Sequence, residues 1–359
     1  MQRPAKPFTP VRFRPQPPNY MKKVNKILIV KFGALGDVIR TSYFLPGLKK
    51  KYPTSKIYWY TSISSLPLLD ENEYIHTIFT RETSRKIFSE NKFDKVISLD
   101  DEIDILEDLA RNSIDVDIGS YLDKNKIPIY NENSSLWFDM GLISKFGKEK
   151  ADCLKKENTL EHNQIFSKIL NIEINEPYLF NSASLHHKEF NFDKSRFKIG
   201  INPGGGERWI SRRLPYNEVL SIISSLNKLK ISGKQVDLYL LGGMHEKNLI
   251  DEITKNNKYP LINTGTNNSL KEFAKIISSL DLIISSDSLA LHLAISQKIK
   301  SISFFAPTSA AEIGTFGTGE KIISLSNDYC SYDSVVDNSS ITAARIIAKL
   351  KEMFETKPF

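Results

Sequence analysis

The feature that most restricts the fold is an alternation of short, buried-type strands with helical stretches, in two successive series of similar size. In the first, residues 26–31 (KILIVK) form a β-branched apolar run ending in a glycine-bearing loop, and residues 36–51 then carry helical spacing. Further apolar runs at 57–60, 75–79 and 96–99 are separated by charged or helix-compatible stretches, as parallel strands covered on both faces require. Residues 198–202 (KIGIN) open the second series. It continues with predicted strands at 236–241, 260–262, 282–285 and 301–305 and predicted helices at 216–229, 246–256, 270–279 and 290–296. A chain of 359 residues is too long for one comfortable core and suits two domains. The expected architecture is therefore α/β, with two doubly wound sheets facing across a cleft and ligands at the loops that follow the strands.

The predicted division is a basic, proline-rich, disordered arm over 1–25, a first Rossmann-like domain over 26–190, a second over 196–338, and a C-terminal helical segment over 339–359. In the first 26 residues, Arg3, Lys6, Arg12, Arg14, Lys22, Lys23 and Lys26 are interleaved with six prolines and no acid. Proline removes donors and breaks helical turns, so this stretch is read either as an extended arm touching anionic headgroups or as a solvated leader. The net charge of +7 favours a negatively charged partner: a phosphate, an anionic membrane or a nucleic acid. The chain lacks both an apolar run of spanning length and the apolar core of a signal peptide, which predicts a cytoplasmic protein, peripheral at most to the inner membrane face. Cys153 and Cys330 stand alone, suggesting two reduced thiols and neither a disulfide nor a zinc site. Between 101 and 194 the pattern loosens, and 186–196 reads as the interdomain linker.

Four strand-end loops hold the chemistry. In the first, Gly33 and Gly36 allow close backbone approach, and Asp37 suits either a general base at the cleft mouth or a simple helix cap. In the second, Asn202, Pro203, Gly204, Gly205 and Gly206 precede Arg208, Arg212 and Arg213, whose guanidinium groups can clamp a diphosphate unless the stretch is merely a flexible basic connector. In the third, Glu246 after Gly242 and Gly243 suits a ribose ligand or a first-turn helix acid. In the fourth, Ser285, Ser286, Asp287 and Ser288 end an apolar strand; Asp287 and Ser288 suit donor hydroxyls or phosphate, and His292 lies one helical turn on as a site residue or a core histidine. Ala306, Pro307, Thr308 and Ser309 end a further strand and are expected to floor the same pocket.

Together these loops resemble glycosyltransferase family 9, the bacterial ADP-heptose:lipopolysaccharide heptosyltransferases, from about residue 26 to residue 350. KILIVKFGALGDVIRTSYFLPGL is similar to the family's opening strand, glycine-aspartate pair and proline-containing helix, which places Asp37 on the catalytic base. INPGGGERWISRRLP resembles the donor signature and puts Arg212 on the phosphate-contacting position; LGGMHE makes Glu246 the adenosine ribose ligand. DSLALHLA, followed by FFAPTS, is the strongest likeness. Leu289 and Ala306 stand where the family usually has glycine, and Arg40 where many members have histidine. The resemblance implies a GT-B fold, with the acceptor on the first domain beside Gly33, Gly36 and Arg40. The donor falls on the second, held by Gly204, Gly205, Arg212, Glu246, Asp287, Ser288, Leu289 and His292, and the C-terminal helix is expected to cross back to the first domain.

It also implies inverting, metal-independent transfer of a sugar, heptose from ADP-heptose foremost, to a surface glycan such as lipopolysaccharide core. The nucleotide sugar is a co-substrate and no cofactor is expected. Other donors, a protein acceptor and a non-catalytic nucleotide-sugar-binding module stay open. A nicotinamide oxidoreductase lacks its GxGxxG spacing here, and a nucleic-acid binder would need a basic stripe with interleaved aromatics.

Overall fold

The computed structural model describes residues 24–178, 193–206, 210–333 and 335–358. Most of the expected arm, Arg208 and the greater part of the expected linker lie outside the described residues.

The first strand, β1 (Lys26–Val30), alternates its apolar side chains between two cores: Ile27 and Ile29 enter one buried cluster, Leu28 and Val30 another. Burial on both faces is what a central parallel strand requires. With β2 (Lys56–Tyr60), β3 (Ile75–Phe79), β4 (Lys95–Ser98), β5 (Ile118–Leu122) and β6 (Pro128–Tyr130) it forms a sheet of order β3-β2-β1-β4-β5-β6, parallel except for the β5–β6 pair. The helices of this half are α1 (Leu35–Ser42), α2 (Phe44–Lys51), α3 (Leu66–Leu69), α4 (Arg81–Glu90), α5 (Ile103–Arg111), α6 (Ser135–Phe138), α7 (Lys148–Glu157) and α8 (His162–Leu170). The helix expected over 36–51 is thus two helices meeting at Tyr43. Pro46 has no N–H to donate to the Ser42 carbonyl, and the helical ladder is interrupted there.

The second half contains β7 (Phe197–Asn202), α9 (Tyr216–Leu226), β8 (Leu229–Ile231), β9 (Lys234–Leu240), α10 (Lys247–Asn256), β10 (Ile262–Asn263), α11 (Leu270–Ser278), β11 (Leu282–Ser286), α12 (Leu289–Ser296), β12 (Lys300–Phe305), β13 (Gly319–Ile323), α13 (Ala343–Met353) and β14 (Thr356–Pro358). Its sheet runs β13-β12-β11-β7-β9-β8-β14, with β10 beside β9 and a parallel centre. The helix expected over 216–229 stops early because Ser232 and Gly233, both at positive φ, turn β8 back onto β9 as a two-residue hairpin. The C-terminal segment does not cross back to the first domain. Ala343, Ile346 and Leu350 are buried in the second core, α13 packs on α9, β12 and β13, and the chain ends as β14 antiparallel to β8. The apolar face of α13 is satisfied by its own sheet, which leaves nothing to draw it across.

The two halves touch directly, α1 against α12 and α3 against α11. One apolar cluster continues from Val38, Ile39 and Leu45 to Ala274, Leu291 and Ala294, and Lys271 pairs with Asp70 across the junction at 3.1 Å. The expected gap is therefore narrow at its base, where packed side chains close it. Among the described residues no helix is long and apolar enough to cross a membrane.

Candidate active site

Two eight-residue helices, one from each half, bring the sequence-predicted residues together. α1 begins after Ala34, whose side chain has nothing to cap with, so Asp37 lies inside the first turn and is not the cap. Its carboxylate accepts a hydrogen bond from Arg40 Nε at 2.9 Å through Oδ1, and Arg40 Nη2 forms an ion pair with the same oxygen at 2.7 Å. Burial acts to raise the Asp37 pKa, but the positive groups of Arg40, Lys31 and His292 outweigh it and hold the carboxyl below its ordinary value. Arg40 is raised in turn: burial opposes its charge, while Asp37, Glu312 and Asp287 favour it more. Gly36 supplies the close approach between the halves, since a Cβ there would lie 2.3 Å from Cδ2 of His292.

On the opposite side, Asp287 directly follows β11 and precedes α12. Arg212 Nη2 lies 3.2 Å from its Oδ2, and His292 Nε2 3.3 Å from its Oδ1. Burial works against the Asp287 charge, yet Arg212 and His292 hold its carboxyl far below the usual carboxylate range. Ser288 sits at the N-cap of α12 without capping it: its hydroxyl is shared with Ser285 at 2.9 Å and accepts from Asn202 Nδ2 at 3.1 Å. The first amides of α12 consequently have no side-chain cap, and helix N-termini of this kind favour anions. Asn202 also donates to Ser285 Oγ, and Ser286 Oγ donates to the Gly204 carbonyl, tying the glycine loop to the end of β11.

The glycine loop is less open than its sequence implies. A Cβ on Gly204 would meet Glu246 Cγ at 2.1 Å, and one on Gly205 would meet Arg212 Cβ at 2.6 Å, so these glycines make room for protein side chains. Glu246 is buried, with Oε1 accepting from the Gly206 amide at 3.0 Å and Oε2 from the Gly243 amide at 2.9 Å. It brackets two glycine loops, and each oxygen keeps a second lone pair. Leu289 packs against the apolar cluster shared by the two halves. Gly33 lies apart from that group, over the carboxylates of Asp100 and Glu102. Thr308 is buried in the loop after β12.

Several neighbours went unnoticed in the sequence. Lys31, at the end of β1, lies 3.6 Å from buried Asp100, whose other oxygen accepts from the Phe32 amide; burial raises the Asp100 pKa despite both. A charged residue directly after a buried strand was the available signal for Lys31. Arg40 also meets the Trp137 ring, 5.5 Å from its centroid. Beside it a water-sized cavity of about 10 Å³ is lined by Arg40, Tyr43, His162, Asn163, His292 and Glu312, among others. His162 has its pKa driven well below normal, first by burial and then by Arg40. Glu312 has its pKa raised, chiefly by burial. No sequence signal marks His162 or Glu312: the rings around His162, those of Phe44, Trp137 and Phe166, come from separate segments of its own half, and Arg40 acts on Glu312 from the other half. Among the described residues no group of three or more His, Cys, Asp or Glu side chains is placed to hold a metal ion.

The fold and the second half of the sequence have known counterparts. Residues 141–341, more than half of the chain, match glycosyltransferase family 9 (heptosyltransferase); α1 lies before the matched segment. No curated protein matches in sequence. The family 9 glycosyl transferase of Veillonella parvula shares the fold at TM-score 0.63 and 16% identity, over 92% of this chain and 98% of that one. The Escherichia coli heptosyltransferase WaaC, solved with ADP, aligns at TM-score 0.60 and 16% identity over 91% and 99%. The E. coli ADP-heptose lps heptosyltransferase II aligns at 0.59 and 15% over 91% and 98%. Identities this low speak for the fold, which is GT-B. Taken with the family match over more than half of the sequence, the chain belongs to glycosyltransferase family 9 and is a glycosyltransferase.

Proposed function

We propose that the protein transfers a heptose from ADP-heptose to a hydroxyl of a surface glycan such as lipopolysaccharide core, with inversion and without a metal ion. The observation that carries this reading is the meeting of Asp37, from the first half, with the Arg212–Asp287–His292 group of the second. Asp37 accepts the proton of the acceptor hydroxyl. The freed oxygen attacks the anomeric carbon from the face opposite the nucleotide, and the bond from that carbon to the diphosphate breaks. Arg212 and the first amides of α12 take up the charge that develops on the leaving ADP. Arg212 exchanges Asp287 for phosphate oxygens when donor binds, and Glu246, from its place beneath the glycine loop, offers its remaining lone pairs to the ribose.

The sequence match to the heptosyltransferase family, and a fold shared with an ADP-heptose lps heptosyltransferase and with a heptosyltransferase solved with ADP, support the donor choice. A basic arm at 1–25 suits contact with an anionic membrane that carries a glycolipid acceptor. Thermal-shift titration with ADP, UDP, GDP and dTDP, followed by ADP release from ADP-heptose in EDTA, tests the reading. Selective stabilisation by ADP with chelator-resistant turnover is expected. Preference for another nucleotide, or loss of turnover in EDTA, would overturn the donor or the metal-free assignment respectively.

A further inference from the structure

We infer that Arg40 is a positioning residue for the transfer, fixing the Asp37 carboxylate through Oδ1 and reserving Oδ2 for the incoming proton. The inference rests on the reading of Asp37 as base and deepens it. The guanidinium meets a single oxygen: Nε donates to Oδ1 at 2.9 Å, and Nη2 lies 2.7 Å from the same atom as its ion-pair partner. Among the described residues no donor reaches Oδ2, and the Asp37 side chain is 34% exposed, so that oxygen stays accessible. A carboxylate held at one oxygen has its rotamer set while one oxygen remains basic, which is what a general base needs.

Arg40 is itself fixed. Its side chain is only 13% exposed, it lies one helical turn from Asp37 on α1, and its guanidinium meets the Trp137 ring of α6. The charged groups acting on Asp37 come from every side: Arg40 on its own helix, Lys31 from the end of β1, His292 from α12 and Asp287 from the loop before it. Those acting on Arg40 are Asp37, Glu312, Asp287 and Tyr332. Among the described residues only Arg40 bonds the Asp37 carboxylate directly, and its charge does not titrate in the working range. The same contact that orients the base therefore lowers its proton affinity, trading basicity for a carboxylate that is ionised and aimed at neutral pH.

Two variants separate charge from geometry. In Arg40→Met both are lost, and the Asp37 midpoint, followed by carboxyl ¹³C NMR with Asp37→Asn as the assignment control, rises by about one unit or more. The acidic limb of ADP release from ADP-heptose moves up with it. In Arg40→Lys the charge is kept, so the midpoint stays near the wild-type value, while the rate falls about tenfold or more because a flexible ammonium cannot reproduce the fixed planar guanidinium, with its Nε–H donor and Nη2 ion pair, against Oδ1. An unmoved midpoint in Arg40→Met, or a wild-type rate in Arg40→Lys, overturns the inference; the NMR measurement does so without requiring turnover. If Asp37→Asn releases ADP at the wild-type rate, it is the base assignment that fails. If Asp37→Asn is inactive and Arg40→Met leaves the limb in place, the failure is confined to Arg40.

Discussion

The Cδ2–Nε2 edge of His292 rests against the backbone of Gly36, so close that a methyl group on Gly36 would come within 2.3 Å of the ring. This contact joins α1 to α12 and seats the helix that bears Asp37 beside Asp287, which His292 also contacts at 3.3 Å. Gly36→Ala should displace the buried imidazole and break that pairing. The expected cost is about 1–3 kcal/mol of stability, despite alanine's better helix propensity, together with weaker ADP binding. Denaturant unfolding and calorimetry check it; an unchanged midpoint and affinity would show that the ring has room to move.

Asp37→Asn keeps the size of the side chain and removes its basicity. Turnover should drop about 10²–10⁴-fold while ADP affinity stays within a small factor, because the groups proposed to hold the donor lie on the other half. ADP release from ADP-heptose and titration calorimetry with ADP give the two numbers.

Arg212→Ala is expected to act the other way round. It removes a guanidinium proposed to clamp the diphosphate and deprives Asp287 of its partner at 3.2 Å. ADP affinity should fall about tenfold or more, since a hydrogen bond to a charged group contributes about 1.5–3 kcal/mol. Calorimetry with ADP and with adenosine separates the phosphate contribution from the rest: adenosine binding should be nearly unaffected.

Glu312 gives a pH-dependent test. Burial raises its pKa above the ordinary 4.5, with Asp287 and Asp37 adding to the rise and Lys155 and Arg40 opposing it. A carboxyl whose folded-state pKa is raised contributes stability that is full below the unfolded value and is lost as the pH climbs through the folded one. Glutamine has no proton to lose. Glu312→Gln should therefore match the wild type near pH 4 and become progressively more stable than it toward neutrality, as melting curves across that range would show. A constant difference at all pH values would mean that the carboxyl does not titrate between the two states.

Much of the site was legible because α/β folds place chemistry at the carboxyl ends of strands. Asp37, Arg212, Asp287, Ser288 and His292 all follow apolar runs that are recognisable from composition and period. Glu246 was legible as a strand-end acid, but its two backbone partners, Gly206 and Gly243, belong to different loops and appear only in three dimensions. Trp137, His162 and Glu312 carried no signal. They reach Arg40 from α6, from the start of α8 and from the loop after β12.

The sequence by itself determined the α/β class, the two sheets and the strand ends that bear the polar residues, because hydrophobic period and glycine placement act locally along the chain. Tertiary structure alone decided that α13 and β14 remain with the second sheet, and that one oxygen of Asp37 is held by Arg40 while the other stays open. It also decided that Gly204 and Gly205 make room for Glu246 and Arg212. Each of these depends on which surfaces meet, and packing geometry between distant segments has no period that a linear reading can detect.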